Sequence, residues 1–321
     1  MNVLITGGAG FIGSHLCEEL LSRRENVHII DDLSTGSIKN VEHLKKNERF
    51  TYTIDSVFNE PVTAELIDRA DVVYHLAAAV GTRLVVENPV RTIETNIGGT
   101  EIVLKHANKK KKTVILASTS EIYGKSENLP FKEDDDMVLG PTSKSRWSYA
   151  CSKAIDEFLA IAYWKEHKLP VIVMRLFNTV GPRQTGRYGM VLPRFVSNAL
   201  SGKPLEVYGD GKQTRCFCYV GDVTRALVKI AGKPKAYGGV FNLGSDSEIS
   251  IKDLALKVKA RVNPKAKIKL VPYEEAYEKG FEDLRHRMPD TSRIKKLIGF
   301  KPTLNIDDII DKVAEDLRSK M

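Results

Sequence analysis

A tyrosine and a lysine stand four residues apart in the segment SYACSKAIDEFLAIAYW, which runs from Ser148 to Trp164. The apolar spacing of the segment predicts an amphipathic helix, and residues four apart lie on one face of a helix. The charge of Lys153 would favour the phenolate of Tyr149 and so lower the pKa of that phenol. Such a tyrosine could take a proton from a substrate hydroxyl. Y-x-x-x-K is a very common pattern. Taken alone, the pair is therefore better explained by chance spacing than by a catalytic role.

A glycine-rich loop near the N-terminus changes the meaning of this pair. In LITGGAGFIGSHL, Gly7, Gly10 and Gly13 stand three apart between a predicted strand and a predicted helix. Glycines permit a tight turn and let backbone amides approach a pyrophosphate at a helix N-terminus. The second predicted strand ends in Asp31 and Asp32. A carboxylate there would bind the adenosine ribose hydroxyls and repel a 2′-phosphate, so the loop predicts NAD rather than NADP.

A third element adds hydroxyls and a carboxylate. The segment ILASTSEIYG ends another predicted strand and offers Ser118, Thr119, Ser120 and Glu121. A hydroxyl beside Tyr149 would bind the reacting oxygen, and a carboxylate adds a second acid–base group. The three elements together predict a redox site for a hydroxyl-bearing substrate.

The elements that must position these residues alternate along the first half of the chain. The predicted strands are NVLIT, NVHIID, FTYTID, ADVVYHLAA, TVILAS and PVIVMRLFN, and predicted helices cover 11–24 and about 89–109 besides the tyrosine segment. This alternation predicts an α/β fold, a Rossmann-type doubly wound parallel sheet with helices on both faces. In this architecture ligands bind at the carboxyl ends of the strands.

The pattern becomes irregular after about Gly181. An NAD-binding domain is therefore predicted over 1–180, with a return strand, GGVFNLGS, near 238–246. Residues 181–321 are predicted to form mainly a smaller α/β cap that binds the substrate. The length of 321 residues agrees with this division, because one core rarely spans so many.

Composition and charge argue against several other classes of protein. The net charge of +8 is spread along the chain, and the one dense run, KKKK at 109–112, lies at a predicted helix–strand junction without interleaved aromatics. This does not favour nucleic acid, whereas a small phosphorylated ligand fits the charge. No apolar run reaches a membrane span of roughly 18 residues, and no basic segment precedes the first strand. The four cysteines suggest free thiols. A cytoplasmic protein without a membrane partner or a metal is predicted.

The motifs together resemble the extended short-chain dehydrogenase/reductase family, the NAD-dependent sugar-nucleotide epimerases and dehydratases. The resemblance covers nearly the whole chain and is carried by TGGAGFIGSHL, HLAA, ASTSEIYG, YACSK, RLFNTVGPRQ and VYGDGKQTRCFCYVGD. It implies an NAD kept through the cycle, a catalytic trio of Thr119, Tyr149 and Lys153, and a nucleotide-sugar held between the domains. It also implies a homodimer formed through the long helices near 89–109 and 148–167.

The resemblance implies two sets of binding residues. The cofactor set comes from the glycine loop, the strand ends and the helices behind them: Gly7, Gly10, Phe11, Ile12, Gly13, Asp31, Asp32, Asp55, Leu76, Ala77, Ala78, Asn96, Ser118, Tyr149 and Lys153. The substrate set comes mostly from the second half: Arg83, Ser120, Asn178, Val191, Arg194, Tyr208, Gln213, Arg215 and Arg287.

Members of the family oxidise C4 of the sugar to a ketone and differ in the next step. STSE-x-YG with Q-x-RCF, GPTSKSRWSYACSK and YEKGFEDLRHRMPD resemble the UDP-glucuronate decarboxylases. This implies Glu121 and Arg215 at the reacting ring and Arg287 near the diphosphate. A 4-ketone turns the C6 carboxylate into a β-keto acid that loses carbon dioxide readily. Arg215 would then stabilise the enolate, and Glu121 would govern protonation at C5.

Two other reactions stay open. The segment AVGTRLVVENP after HLAA resembles 4-epimerases, and its Arg83 could equally hold a uronate carboxylate. Ser120 stands where 4,6-dehydratases usually carry an aspartate. The prediction is decarboxylation of a UDP-linked uronate to UDP-xylose or a UDP-4-keto-pentose, then 4-epimerisation of a UDP-hexose or UDP-hexuronate, and third 4,6-dehydration. An NAD-sensing regulator is the non-enzymatic alternative, and the presence of Thr119, Tyr149 and Lys153 argues against it.

Overall fold

The computed structural model describes residues 1–186, 190–276 and 284–321, and at 82–84, 274 and 276 the backbone alone. Its strands follow the apolar runs of the sequence. In chain order they are β1 (Asn2–Thr6), β2 (Asn26–Asp31), β3 (Phe50–Ile54), β4 (Val72–His75), β5 (Thr113–Thr119), β6 (Val171–Leu176), β7 (Thr179–Val180), β8 (Leu205–Tyr208), β9 (Thr214–Cys216), β10 (Cys218–Tyr219), β11 (Gly239–Leu243), β12 (Glu248–Ser250) and β13 (Ile268–Val271).

Seven of these strands form one sheet in the order β11-β6-β5-β4-β1-β2-β3, and every neighbouring pair is parallel. From β1 the chain builds the sheet outward to β3 and then returns to the other side of β1 with β4. The crossover connections on the two sides of β1 diverge, which leaves a crevice at the carboxyl ends of β1 and β4. The predicted Rossmann-type doubly wound sheet is confirmed, and the predicted return strand pairs with β6.

The helices follow the amphipathic segments. In chain order they are α1 (Phe11–Ser22), α2 (Glu60–Arg69), α3 (Thr82–Glu87), α4 (Pro89–Lys109), α5 (Arg146–His167), α6 (Val191–Leu200), α7 (Val220–Ala231), α8 (Ile251–Val262), α9 (Tyr273–Ala276), α10 (Ser292–Ile298) and α11 (Ile306–Arg318). A 3₁₀ turn at Ser120–Tyr123 continues β5.

Both faces of the sheet are buried. In β1, Val3 and Ile5 belong to a core that also contains residues of α1, α7 and α10, whereas Leu4 belongs to the core under α2, α4 and α5. This alternation follows from the two-residue period of a strand, and it explains why the central strands are almost continuously apolar. The sheet is thereby a rigid base for the residues at its carboxyl edge.

A second, smaller core lies in the second half of the chain. It is built from α6, α8 and α11 with strands β8 and β13, which pair in parallel. Helices α7 and α10 of the same half pack instead on the sheet. The segment after 181 thus contributes to both cores, and the predicted division at 180 stays a prediction.

Two findings bear on the chemistry of the chain as a whole. Within 1–186, 190–276 and 284–321, no helix combines the length and the apolar character that crossing a bilayer requires. The four cysteines are free thiols, as predicted.

Candidate active site

A cavity of about 690 Å³ lies at the carboxyl ends of the sheet strands and extends under the second half of the chain. Most of the predicted site residues line it: Gly7, Gly10, Phe11, Ile12, Gly13, Asp31, Asp32, Asp55, Leu76, Ala77, Ala78, Ser118, Thr119, Ser120, Glu121, Tyr149, Asn178, Val191, Arg194, Tyr208, Gln213, Arg215 and Arg287. Segments far apart in the sequence therefore meet around one space.

One end of the cavity is formed by backbone. Gly7 has a φ of +71°, and a Cβ there would lie 2.8 Å from the backbone nitrogen of Ala77. Helix α1 begins after Gly10 without a side-chain cap, so its first backbone N–H groups are open to an anion at the cavity wall. A tight loop followed by an uncapped helix N-terminus fits a dinucleotide pyrophosphate.

Asp31 closes the same end at the tip of β2. Its two carboxylate oxygens accept hydrogen bonds from the backbone N–H groups of Ala9 (2.9 Å) and Leu33 (2.8 Å). Burial raises the pKa of Asp31, and the two backbone bonds oppose the rise. The carboxylate is therefore fixed by the glycine loop itself and lies where the predicted ribose contact requires it. The residues of this end fit NAD.

Thr119 and Tyr149 meet at the middle of the cavity. Thr119 ends β5 and Tyr149 lies on α5, and the Thr119 hydroxyl is near enough to the phenol to oppose the rise in the pKa of Tyr149. Behind Thr119, the Ser118 hydroxyl donates to Glu157, and Glu157 in turn pairs with Arg175 at 2.8 Å. This buried network fixes the end of β5, so the predicted hydroxyl–phenol pair is held by rigid elements.

Lys153 does not behave as its spacing predicts. Its ammonium is buried, pairs with Asp156 at 2.8 Å, and is absent from the cavity wall. The pKa of Tyr149 is raised above its usual range, first by burial and then by the negative charges of Glu121 and Asp156. The expected lowering of this pKa by Lys153 is therefore not observed, because the lysine charge is compensated by a neighbouring carboxylate.

Asn96, a predicted cofactor contact, also lies behind the wall and not on it. The Asn96 side chain accepts from the backbone N–H of Ala79 at 2.8 Å and donates to the Ser152 hydroxyl at 3.0 Å. Asn96 thus ties the loop after β4 to helix α5. Its structural role is to hold the wall that Leu76–Ala79 form.

Glu121 forms the charged centre of the other end. Its carboxylate is within 2.5 Å of an Arg287 nitrogen and 3.3 Å of an Arg146 nitrogen. Burial favours the neutral acid, but the charges of Arg287 and Arg146, a hydrogen bond from Arg287 and the charge of Arg215 outweigh it and hold the pKa of Glu121 at about 2. Glu121 is therefore an anion at every physiological pH.

Arg287 lies on the cavity wall and is paired with a carboxylate. The resemblance implies a position near the diphosphate, which stays a prediction, and the structure pairs Arg287 with Glu121. Arg215 lies close by, and its guanidinium donates to the carbonyls of Thr214 (2.7 Å) and Leu284 (2.8 Å). Both arginines thus surround the predicted reacting end.

Arg146 was missed by the sequence analysis. It begins α5, stacks over the ring of Trp147 at 5.3 Å and reaches Glu121. The available signal was its spacing, because Arg146 and Tyr149 stand three apart and share a helical face. Asp156 was missed as well, although it stands three residues after Lys153.

The far wall carries the remaining substrate candidates. The Arg194 guanidinium lies 4.1 Å from the ring centre of Tyr208, and the Gln213 side chain donates to the Tyr208 carbonyl at 3.0 Å. Asn178 has a φ of +31° and donates to the Cys216 carbonyl at 3.3 Å. The side chain of Arg83 lies outside the described residues, so its predicted contact stays a prediction.

Comparison with known proteins agrees with these features. The family described as GDP-mannose 4,6 dehydratase matches residues 4–313 of this chain. A UDP-N-acetyl-alpha-D-glucosaminuronate decarboxylase of Bacillus cytotoxicus is 45% identical over 303 residues, which cover 94% of this chain and 93% of the relative. UDP-glucuronic acid decarboxylase 1 of Arabidopsis thaliana is 35% identical over 321 residues, which cover 100% of this chain and 71% of the plant protein.

Solved structures extend the likeness to the fold. A UDP-glucuronic acid 4-epimerase from Bacillus cereus, in complex with UDP-glucuronic acid and NAD, has a TM-score of 0.89 and 29% identity, and both chains are covered completely. Pal from Bacillus thuringiensis has a TM-score of 0.91, 29% identity and the same complete coverage.

Proposed function

The chain belongs to the GDP-mannose 4,6-dehydratase-like part of the extended short-chain dehydrogenase/reductase family, and from this membership we propose that it decarboxylates a UDP-linked uronic acid. It is a sugar-nucleotide enzyme, and its cofactor is NAD. The proposed reaction oxidises the sugar at C4, releases C6 as carbon dioxide and reduces C4 again. Relatives at 45% and 35% identity that are named for uronate decarboxylation support this choice.

The observation that carries the proposal is the arginine cluster around Glu121. Arg146, Arg287 and Arg215 contribute three positive charges against the one negative charge of Glu121. The reacting end is therefore net positive, and a sugar that carries its own carboxylate is favoured there over a neutral hexose. The sugar is proposed to be a uronate with either a hydroxyl or an acetamido group at C2.

The glycine loop, the start of α1 and Asp31 would hold the cofactor. The backbone N–H groups after Gly10 would bind the pyrophosphate, and the Asp31 carboxylate, which the Ala9 N–H holds in place, would accept from the adenosine ribose. When bound, NAD supplies the reversible two-electron oxidation of C4.

Tyr149 and Thr119 handle the proton at C4. Tyr149 accepts the proton of the C4 hydroxyl during oxidation and returns it when C4 is reduced. The Thr119 hydroxyl, which lines the cavity beside Tyr149, orients the same oxygen. Because burial and the charge of Glu121 raise the pKa of Tyr149, the return of the proton is easier than its removal.

The loss of carbon dioxide follows from the ketone. The C5–C6 bond breaks, its electron pair moves into an enolate across C4 and C5, and the carboxylate carbon leaves as carbon dioxide. The enolate oxygen lies at C4, where the phenol of Tyr149 and the hydroxyl of Thr119 can bond to it and Arg215 adds positive charge. A proton then adds at C5, so one proton is consumed for each carbon dioxide released.

Glu121 is not the donor of that proton at neutral pH, because its pKa is about 2. We infer that it acts as a fixed anion that keeps Arg146 and Arg287 in place beside the sugar. It governs protonation at C5 through the groups that it orients. This refines the role that the sequence suggested for it.

A product analysis tests the reaction. The purified protein is incubated separately with UDP-glucuronate, UDP-N-acetylglucosaminuronate, UDP-glucose and UDP-N-acetylglucosamine, and products are identified by mass and NMR. Loss of carbon dioxide from either uronate, with no change in the neutral sugars, is expected. The two uronate incubations also identify the substituent at C2.

The second candidate is 4-epimerisation of a UDP-hexuronate. The full-length likeness to the UDP-glucuronic acid 4-epimerase of Bacillus cereus favours it. Unchanged product mass with inverted configuration at C4 would establish this reaction in place of decarboxylation, and loss of water would establish dehydration.

We also propose that the protein is a homodimer through α4 and α5. These two helices pack against each other, and they expose the large apolar side chains of Val90 (66%), Phe158 (67%), Ile93 and Ile155. Apolar side chains exposed on neighbouring helices favour an interface. Light scattering after size exclusion should give a dimer mass for the wild type and a monomer mass for Phe158→Glu.

A further inference from the structure

Helix α5 contains a completely buried ion pair that the proposed mechanism has not yet used. The Lys153 ammonium lies 2.8 Å from the Asp156 carboxylate, and the two side chains are only 3% and 0% exposed. Burying two charges costs several kcal/mol per ion before the attraction between them offsets that cost. A pair held so far from water next to Tyr149 therefore calls for a reason beyond the stability of the helix.

The other ionisable groups around the pair cannot take the place of Asp156. His75 at the end of β4 is neutral, because burial and the charge of Lys153 hold its pKa at about 3. Glu157 on α5 is engaged by Arg175 of β6. Glu121 on the 3₁₀ turn is engaged by Arg287 and Arg146.

Helix α4 packs against α5. Its Thr100 contributes a buried hydroxyl that lies 3.2 Å from His75. Among the described residues, Asp156 is therefore the carboxylate that forms the ion pair with Lys153.

We propose that Asp156 is a positioning residue for the oxidation at C4, which fixes where the Lys153 ammonium lies and offsets its charge beside Tyr149. The functional unit on α5 is then Tyr149, Lys153 and Asp156 at positions i, i+4 and i+7, all on one helical face. This inference rests on the proposed function, because it assigns Lys153 a part in the same redox site. Burial raises the pKa of Asp156, and Lys153 opposes the rise.

Two consequences distinguish this role from a purely structural one. The charge of Asp156 raises the pKa of Tyr149, so removing that charge favours the phenolate. Tyr149 must be deprotonated to accept the C4 proton. Without the charge of Asp156, the acid-side decrease of kcat/KM should therefore begin at a lower pH than in the wild type. Removing the carboxylate also frees the lysine from the position in which Asp156 holds it off the cavity wall, so the affinity for NAD should change.

The test compares Asp156→Asn with Asp222→Asn. Asp222 is a matched control, because it is also buried and also pairs with a cation three residues away on its helix, Arg225 of α7, and neither residue lies on the cavity wall. For each protein we would measure unfolding temperature, NAD affinity by calorimetry, and kcat/KM against pH with the uronate that the wild type accepts.

Asp156→Asn should move the acid limb of kcat/KM to lower pH by on the order of one unit and change the NAD affinity several-fold. Asp222→Asn should lower the unfolding temperature without moving either quantity. A uniform loss of activity at all pH values, with NAD affinity equal to that of the control, would overturn the inference. The NAD titration needs no substrate, so it decides the inference even if no uronate is converted, which would refute the proposed function alone. Asp156→Ser repeats the test if Asp156→Asn does not fold.

Discussion

The two ends of the cavity are stabilised by different kinds of contact. At the cofactor end, Gly7, Gly10 and Gly13 with Asp31 come from the first 31 residues, and their contacts are mostly backbone hydrogen bonds and close packing. At the reacting end, Glu121 is held by charged side chains, with Arg287 contributed from near the end of the chain.

The contrast shows how each end depends on the rest of the molecule. A backbone site is specified by local steric rules, so a change there acts through shape. A charged site exists only when distant segments fold together, so a change there acts through unpaired charge. The predictions below separate these two kinds of dependence, beginning with the largest expected effect.

Tyr149→Phe should lower kcat by roughly 10²–10⁴-fold, the usual loss when a positioned acid–base group is removed. NAD affinity and unfolding temperature should stay close to those of the wild type, because the ring remains in place. Turnover of the uronate and calorimetric titration of NAD measure the two effects.

Tyr123→Phe is the control for this change. Tyr123 is also buried, and its hydroxyl donates to Asn242 at 2.7 Å away from the cavity wall. Tyr123→Phe should lower the unfolding temperature and leave kcat close to that of the wild type. Activity of Tyr149→Phe within a few-fold of the wild type would remove Tyr149 from the mechanism.

Glu121→Gln should lower product formation on the order of a hundredfold while oxidation at C4 continues. The amide keeps the size of the side chain but leaves Arg146 and Arg287 without their anion. The absorbance of the reduced cofactor should therefore appear on adding the uronate, while carbon dioxide release slows.

Glu133→Gln provides the comparison. Glu133 is a buried carboxylate that accepts from the Asn242 backbone at 2.9 Å and pairs with Arg293. Glu133→Gln should leave the rates of C4 oxidation and product release in the same ratio as in the wild type. Normal product release by Glu121→Gln would favour 4-epimerisation, in which Thr119 and Tyr149 suffice.

Lowering the pH toward 2 should reduce the contribution that Glu121 makes to the stability of the fold. The pKa of Glu121 is about 2 in the folded protein and about 4.3 in an unfolded chain. Because the folded pKa is the lower one, Glu121 stabilises the fold above about pH 4.3, and this contribution disappears as the pH falls toward 2. The shift corresponds to at most about 3 kcal/mol. Chemical denaturation at several pH values should show a smaller loss between pH 5 and 3 for Glu121→Gln than for the wild type, and parallel curves would contradict the ion pairs.

The cofactor end and much of the sheet could be predicted from the sequence, because both depend on residues that are close together along the chain. The glycine spacing determines the loop, and the alternation of apolar runs predicted a helix over about 89–109 that the structure places at Pro89–Lys109. The pairing of Arg287 with Glu121 was not predicted, because the position of Arg287 depends on long-range pairing: the Thr214 backbone donates to the Arg285 carbonyl at 2.8 Å. The burial of Asp156 likewise depends on how α4 and β5 pack against α5. Neither fact can be read from spacing.

The smallest effect is expected at the cofactor end, where Asp31→Ala should weaken NAD by roughly tenfold and reduce the discrimination against NADP. Two roles of Asp31 are lost together. The carboxylate no longer accepts from the N–H groups of Ala9 and Leu33, and its repulsion of a 2′-phosphate disappears.

Asp32→Ala separates these roles, because Asp32 carries the same charge and makes the equivalent turn bond to the Ser34 N–H at 2.9 Å, but no bond to the glycine loop. If shape dominates this end, Asp31→Ala weakens both cofactors and Asp32→Ala weakens neither. If charge dominates, both variants bind NADP better and NAD only slightly worse. Calorimetric titration of NAD and NADP against the three proteins distinguishes these outcomes. The first result would extend the contrast between the two ends, and the second would mean that charge governs both.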